Sequence, residues 1–110
     1  MMYDVKEIAL KPGKKIRLTF ANQDFMPHNI LLVKPGKADD VGMKAMALGA
    51  KGFELNFVPE SPDIIWSSKL VDPGKEQVIE FTAPANAGDY PFICSFPGHH
   101  LIMRGVMKVK

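Results

Sequence analysis

The sequence contains one cysteine, Cys94, so no disulfide can form within the chain and the fold must be held by packing. No apolar run approaches the roughly 18 to 20 residues that span a bilayer. Lysines and arginines are spread along the chain, and the net charge is only +2. Because no basic run is interleaved with aromatic residues, nucleic acid is not an expected partner.

The N-terminal segment Met1–Lys6 lacks the basic start and apolar centre of a signal peptide. A protein that stays in the cytoplasm would look like this. A mature form or an excised domain with an added start methionine would look the same, so these readings stay open at this point.

The composition is that of an ordinary globular protein. The chain has 110 residues, of which 46% are hydrophobic and 24% charged. This length suits one compact domain with a real core, which we expect to cover residues 1–110. The same composition excludes a disordered tail.

Short strands dominate the pattern. Ile16, Leu18 and Phe20 alternate with polar residues, which is typical of a half-buried strand. Turns follow at Lys11–Lys14 and Asp72–Gly74. The remaining expected strands are Val5–Leu10, Ile30–Val33, Val78–Phe81, Tyr90–Cys94 and Val106–Val109. About seven or eight strands of this kind indicate an all-β, antiparallel sandwich.

One segment departs from this pattern. Residues Ala38–Ala50 are rich in alanine, methionine and leucine, and glycines stand where a helix would end. We expect a short helix packed on a sheet, with a methionine-rich metal site at Met43 and Met46 as the alternative. The following Phe53–Pro62 is expected to be irregular, because two prolines discourage regular structure.

The side chains best suited to bind a metal or to act in catalysis are concentrated between Tyr90 and Met103. A thiol, an imidazole and a thioether stand at Cys94, His99 and Met103. The Pro97-Gly98 turn lets one tight loop direct all three side chains towards one point.

A second histidine, His28, lies in another loop between predicted strands, and a sandwich can bring it to the same end. Thiolate and thioether are soft ligands, and imidazole suits copper in both oxidation states. Two histidines and a cysteine in a plane with a weak axial methionine form a blue-copper electron-transfer site.

The segment from Cys94 to His99, followed by Met103, resembles the copper loop of the cupredoxin family. Its Cys-x4-His-x3-Met spacing is similar to that of azurins and auracyanins rather than plastocyanins. Met26, His28 and Asn29 resemble the azurin segment that carries the other histidine. The resemblance is close over residues 89–110 and fair over 16–33.

This resemblance implies a cupredoxin-like Greek-key sandwich that binds one type 1 copper through His28, Cys94, His99 and Met103. It implies that the backbone N–H groups of Asn29 and Phe96 hydrogen-bond the Cys94 sulfur. The Asn29 side chain would also tie the two loops together.

The family resemblance further implies a one-electron carrier rather than an enzyme. Electrons would pass through His99, surrounded by an apolar patch for docking. Redox partners such as c-type cytochromes or dehydrogenases are expected, with a periplasmic or otherwise extracytoplasmic location and a signal peptide removed, or a module excised from a larger redox protein. The residues expected to form that patch are Met26, Pro27, Phe96, Pro97 and Leu101.

Three features depart from the azurin pattern. Pro27 stands where azurins have glycine, so the resemblance leaves open whether its carbonyl makes a weak fifth contact. The azurin disulfide is absent. His100 directly follows His99, and we expect it to be a surface histidine.

Other classes of function use some of the same residues. A copper chaperone or storage protein could use the same ligands, although a site under Phe96 and Pro97 disfavours rapid release. A thiol enzyme could use Cys94 as nucleophile with a histidine as base, but then Met103 has no role. Structural zinc is weaker, since zinc gains little from a thioether.

Overall fold

A computed structural model describes residues 2–110, which form seven strands in two sheets. The first sheet has the strand order β1-β7-β6-β3-β4, and the second pairs β2 with β5. The strands are β1 (Glu7–Leu10), β2 (Lys15–Ala21), β3 (Leu31–Val33), β4 (Ile64–Ser67), β5 (Glu76–Thr82), β6 (Gly88–Ile93) and β7 (Arg104–Val109). The α-helix α1 covers Ala38–Met46, and 3-10 helices cover Gly49–Leu55 and His99–Leu101.

The expected all-β sandwich with a helical insertion is confirmed, but its pairing is not antiparallel throughout. Strand β1 runs parallel to β7, with Leu10 opposite Val109. The turn after Leu10, in which Gly13 has φ 73°, carries the chain across to β2 in the other sheet. Because β1 does not form a hairpin with β2, nothing forces it to pair antiparallel with its neighbour.

The main core lies between the two sheets. Alternate residues of β2 and β5 face inward, as the period-2 pattern predicts. Leu32 and Phe92 meet them from the first sheet, each almost completely buried. Burial of each such side chain contributes on the order of 2 kcal/mol.

Strand β3 is buried on both faces because α1 covers the outer side of its sheet. Leu31 and Val33 pack there against Val41 of the helix. Helix α1 ends at Met46, earlier than the expected Ala50, and a 3-10 helix then extends into the segment expected to be irregular. No helix in residues 2–110 has the length and apolar character needed to cross a membrane.

Strand β4 was not among the expected strands. It has only four residues, Ile64–Ser67, and Ile65 and Ser67 on its outer side are exposed. It pairs with β3 across a register shift between Leu32 and Val33. Its short, irregular pairing leaves little periodic signal in the sequence.

The register of the first sheet brings two distant loops to one end of the molecule. Leu31 of β3 pairs with Ile93 of β6 in antiparallel register. The residues just before Leu31 and just after Ile93 therefore emerge at the same end. These are His28 and Asn29, which precede β3, and Cys94 and Ser95, which follow β6.

Candidate metal centre

Three of the predicted ligands meet in one buried cluster, formed by His28, Cys94 and His99. Their metal-binding atoms all lie within 4.8 Å of one another. The Cys94 Sγ is 3.8 Å from Nδ1 of His28 and 3.7 Å from Nδ1 of His99. All three residues are buried, with exposed fractions of 4% or less.

These separations fit a metal ion. Metal–nitrogen bonds of about 2.0–2.1 Å and metal–sulfur bonds of about 2.3 Å, the lengths found in zinc sites, meet at roughly 120° when nitrogen and sulfur are about 3.8 Å apart. The donor set of one thiol and two imidazoles also matches the equatorial ligands of a blue-copper centre. The residues present therefore fit a type 1 copper.

Backbone hydrogen bonds fix the loop that carries Cys94 and His99. The N–H of Cys94 donates to the carbonyl of Met103 over 3.0 Å, and the N–H of Met103 donates to the carbonyl of His99 over 2.7 Å. Gly98, at φ 81°, makes the sharp turn before the short 3-10 helix. A side chain at this position would strain that turn.

Met103 lies at the end of this loop, directly before β7. It is 3% exposed and packs into the main core. Together with His28 it also lines a cavity of about 400 Å³ that opens to the surface. Ligation by its thioether stays a prediction.

The loop that carries His28 is held by a bridge to the segment after β4. The N–H of His28 donates to the carbonyl of Val71, and the N–H of Val71 donates back to the carbonyl of His28. The far ring nitrogen, Nε2, lies 2.9 Å from a carboxylate oxygen of Asp24. This contact, above all, holds the pKa of the Asp24 carboxyl well below its usual range.

The contact of the Asp24 carboxylate with His28 was not predicted from the sequence. A carboxylate four residues before a predicted histidine ligand was the available signal, because metal-binding histidines commonly donate their second ring N–H to such a group. In a loop, however, that spacing alone does not place the two side chains together.

Asn29 ties three segments together. Its amide oxygen accepts the backbone N–H of Ser95 over 2.7 Å, and its amide nitrogen donates to the Ser95 hydroxyl over 2.9 Å. The same nitrogen donates to the carbonyl of Asn56 over 2.8 Å, which the sequence did not suggest. Ser95 in turn donates to the carbonyl of Phe57.

The environment of Cys94 opposes ionisation of the thiol in the metal-free protein. Burial raises the pKa of Cys94 to about 11, although hydrogen bonds from the backbone N–H groups of Asn29 and Phe96 lower it. Those donors are the two that the family resemblance implies. The thiol is therefore protonated at neutral pH, and a metal that binds the sulfur must displace a proton.

We expect alkylation of Cys94 by iodoacetamide to be slow at pH 7 in the metal-free protein. Only the thiolate reacts, and its fraction rises about tenfold per pH unit below the pKa of about 11. Rates measured from pH 7 to 10 by mass spectrometry should follow this slope. Cu(I) should block the reaction, and fast alkylation at pH 7 in its presence would contradict a metal-bound sulfur.

The surroundings of His99 favour the neutral form of its imidazole. Burial first, and then the neighbouring His28, lower the pKa of His99. A neutral ring has a free lone pair, as metal binding requires. Phe96 covers this ring, with the two ring centres 4.8 Å apart.

The expectation for His100 was wrong, because this residue is buried. It is 1% exposed, and its ring packs so closely on Gly42 of α1 that a Cβ there would lie 2.1 Å from the ring. Helix α1 therefore rests directly on the loop that carries His99. The sequence could not show this, because Gly42 and His100 are more than fifty positions apart in the chain.

Apolar side chains are exposed around the cluster. Met26 and Leu101, both expected in the patch, are 42% and 66% exposed, while only 4% of His99 reaches solvent. Phe25, at 96%, and Phe53, at 62%, are also exposed. Phe53 stacks edge-on against Phe57 and Phe96, and so extends the apolar surface from the site.

Comparisons with known proteins agree with this geometry. A family model described as copper binding proteins of the plastocyanin/azurin family matches residues 1–110. Auracyanin-A from Chloroflexus aurantiacus is 33% identical over 111 residues, covering 99% of this chain and 67% of that protein. Auracyanin-B from the same organism is 32% identical over 107 residues, covering 93% of this chain but only 44% of that protein.

Solved structures show the same fold. The dithionite-reduced auracyanin of Roseiflexus castenholzii is 38% identical, with a TM-score of 0.87 over 99% of this chain and 87% of that one. The structure of auracyanin A, described as a "blue" copper protein, gives a TM-score of 0.86 over 97% of this chain and 87% of that one. The chain belongs to the plastocyanin/azurin family of copper-binding proteins.

Proposed function

We propose that this chain is a one-electron carrier that holds one type 1 copper through His28, Cys94, His99 and Met103. The observation that carries the proposal is the buried cluster in which both imidazole Nδ1 atoms face the Cys94 sulfur at 3.7–3.8 Å. Copper bound there would supply a one-electron couple between Cu(II) and Cu(I). The relative described as a "blue" copper protein supports the same assignment.

The protein itself contributes ligands that are held in place by hydrogen bonds and shielded from bulk water. Asn29 joins the two ligand loops through buried hydrogen bonds, and the His28–Val71 bridge fixes the other side. Because the side chains are already in place, little has to move when charge changes at the site. Burial of all three residues also keeps bulk water away from the sulfur.

The residues do not suit an enzyme as well. The raised pKa of Cys94 makes its thiol a weak nucleophile at neutral pH. In the part of the chain that the structure describes, His28, Cys94 and His99 are the one group of three or more His, Cys, Asp or Glu side chains close enough to share an ion. We therefore propose a carrier rather than an enzyme, with residues 1–110 as one cupredoxin domain.

The alternative function, a copper chaperone or store, differs in how easily the metal leaves. We expect Cu(I) to leave the loaded protein slowly when a strong Cu(I) chelator is added in excess, because the ligands are buried and held by hydrogen bonds. Electron exchange with a c-type cytochrome should be much faster under the same conditions. Copper transfer that outpaces electron exchange would favour the chaperone or storage function.

We further propose that partners such as c-type cytochromes or dehydrogenases dock on the apolar surface around His99, in an extracytoplasmic compartment such as the periplasm. The exposed side chains of Met26 and Leu101 support such a surface. Either a separate protein or a neighbouring module of a longer chain could use it. A surface of this kind favours close approach of the partner to the ligand His99.

We expect the electron-transfer rate constant with a cytochrome to change less than about twofold between low and moderate salt, because a net charge of +2 gives a weak steering field. Leu101→Asp should lower it at least about tenfold by placing a charge on the docking surface. The matched control is Val78→Asp, at an exposed apolar position on β5. A steep fall with salt, or equal effects of the two variants, would count against this docking mode.

A further inference from the structure

We infer that Asp24 is a positioning residue for the ligand His28, holding its ring by a hydrogen bond so that Nδ1 is presented to the metal. The inference rests on the proposed function. The Asp24 Oδ2 lies 2.9 Å from Nε2 of His28. The side chain of His28 is 3% exposed and that of Asp24 33%, so the contact joins a buried ring to the surface.

The geometry selects one tautomer of the ring. A neutral imidazole carries its proton on one nitrogen only, and an ionised carboxylate can only accept a hydrogen bond. In the neutral ring the proton therefore lies on Nε2 of His28, which donates it to Asp24. The lone pair is left on Nδ1, the atom that lies 3.8 Å from the Cys94 sulfur.

The carboxylate is itself fixed by the loop. Its other oxygen, Oδ1, accepts the backbone N–H of Phe25 over 2.8 Å, so the two oxygens have separate partners. The backbone N–H of Asp24 donates to the side-chain oxygen of Asn22 over 2.9 Å. Asn22 is 3% exposed, and its amide donates to the carbonyls of Met26 and Val71.

These hydrogen bonds connect both the backbone and the ring of His28 to the segment that contains Val71. Val71, which accepts from the Asn22 side chain, also forms the backbone bridge with His28. The ring of His28 is thus held by its own backbone and by its far nitrogen. Such partners of a ligand orient the ring and raise its basicity.

The negative charge beside the ring has a predictable effect on the redox couple. A carboxylate at Nε2 strengthens Nδ1 as a donor, which stabilises Cu(II) more than Cu(I) and lowers the reduction potential. Loss of such a partner weakens metal binding by about 10- to 100-fold. If the loss is tenfold larger for Cu(II) than for Cu(I), the potential rises by about 59 mV.

The first experiment needs no copper. ¹⁵N shifts of the imidazole rings in the metal-free protein, recorded at a pH where the ring is neutral, report which nitrogen of His28 carries the proton. We expect the proton on Nε2 in the unaltered protein and in Asp24→Asn, which keeps an acceptor oxygen. In Asp24→Ala the two tautomers should mix. The matched control is Asp4→Ala, which removes a charge from the wall of the same cavity.

The second experiment measures the reduction potential of the four copper-loaded proteins by spectroelectrochemistry. Asp24→Ala should raise the ratio of Cu(I) to Cu(II) at a fixed potential about tenfold, Asp24→Asn by less, and Asp4→Ala least. An unchanged tautomer in Asp24→Ala, an unchanged potential, or an equal shift in Asp4→Ala would overturn the inference. Failure of the proposed function would instead appear as an unaltered protein without a thiolate–copper band, whatever the ring tautomer.

Discussion

Replacing Cys94 by serine is expected to abolish the intense visible absorption of the copper-loaded protein. The band arises from charge transfer between a thiolate and Cu(II), and a hydroxyl cannot supply it. The change removes one sulfur from a buried position without adding volume, so the fold should survive. Absorption spectra and circular dichroism of the purified variant, after addition of Cu(II), make the measurement.

The matched control for this change is Met107→Leu, a core residue of β7 that pairs with Tyr90 and is not a proposed ligand. It keeps the apolar volume, so we expect it to cost less than about 1.5 kcal/mol and to leave the band unchanged. A Cys94→Ser variant that keeps an intense band would show that another group binds the metal. The ligand set proposed above would then be wrong.

Replacing Asn29 by alanine is expected to lower the free energy of unfolding of the metal-free protein by about 3–5 kcal/mol. The change removes three hydrogen bonds and leaves the N–H of Ser95 without its acceptor in the interior. Each buried polar group left unpaired costs about 1–3 kcal/mol. Urea unfolding of the two proteins measures the difference.

The same variant should also bind copper more weakly, because Asn29 joins the loops that carry His28 and Cys94. The control is Asn86→Ala, at an exposed position, which should change stability by less than about 0.5 kcal/mol. If Asn29→Ala were as stable as the control, the hydrogen bonds at Asn29 would not hold the loops. The rigid site on which the proposed function depends would then lack its main support.

The proposed ligands on the last loop are close in sequence, so local rules are enough to predict their placement. Cys94 follows a strand, Pro97-Gly98 makes a turn, and His99 and Met103 come within the next few residues, so no distant contact is needed. The position of His28 was harder, since it depends on the pairing of Leu31 with Ile93. The family resemblance supplied this link, which strand periodicity alone does not.

Features that depend on packing between distant segments could not be predicted. His100 looked like a surface residue because nothing near it in sequence shows that Gly42 of α1 covers its ring. The carbonyl that accepts from Asn29 belongs to Asn56, which directly follows the 3-10 helix and has a left-handed backbone at φ 56°. That local structure is not evident from the sequence around Asn29. The parallel pairing of β1 with β7 depends likewise on the whole sandwich.

The measurement that tests the central claim most directly is a visible absorption spectrum of the protein loaded with Cu(II), repeated after addition of ascorbate. We expect an intense blue or green band that disappears on reduction and returns on oxidation, because a thiolate and two imidazoles bind one copper. A colourless protein that still binds Cu(I) tightly would contradict electron transfer and favour copper handling. A protein that binds no copper at all would contradict the metal centre itself.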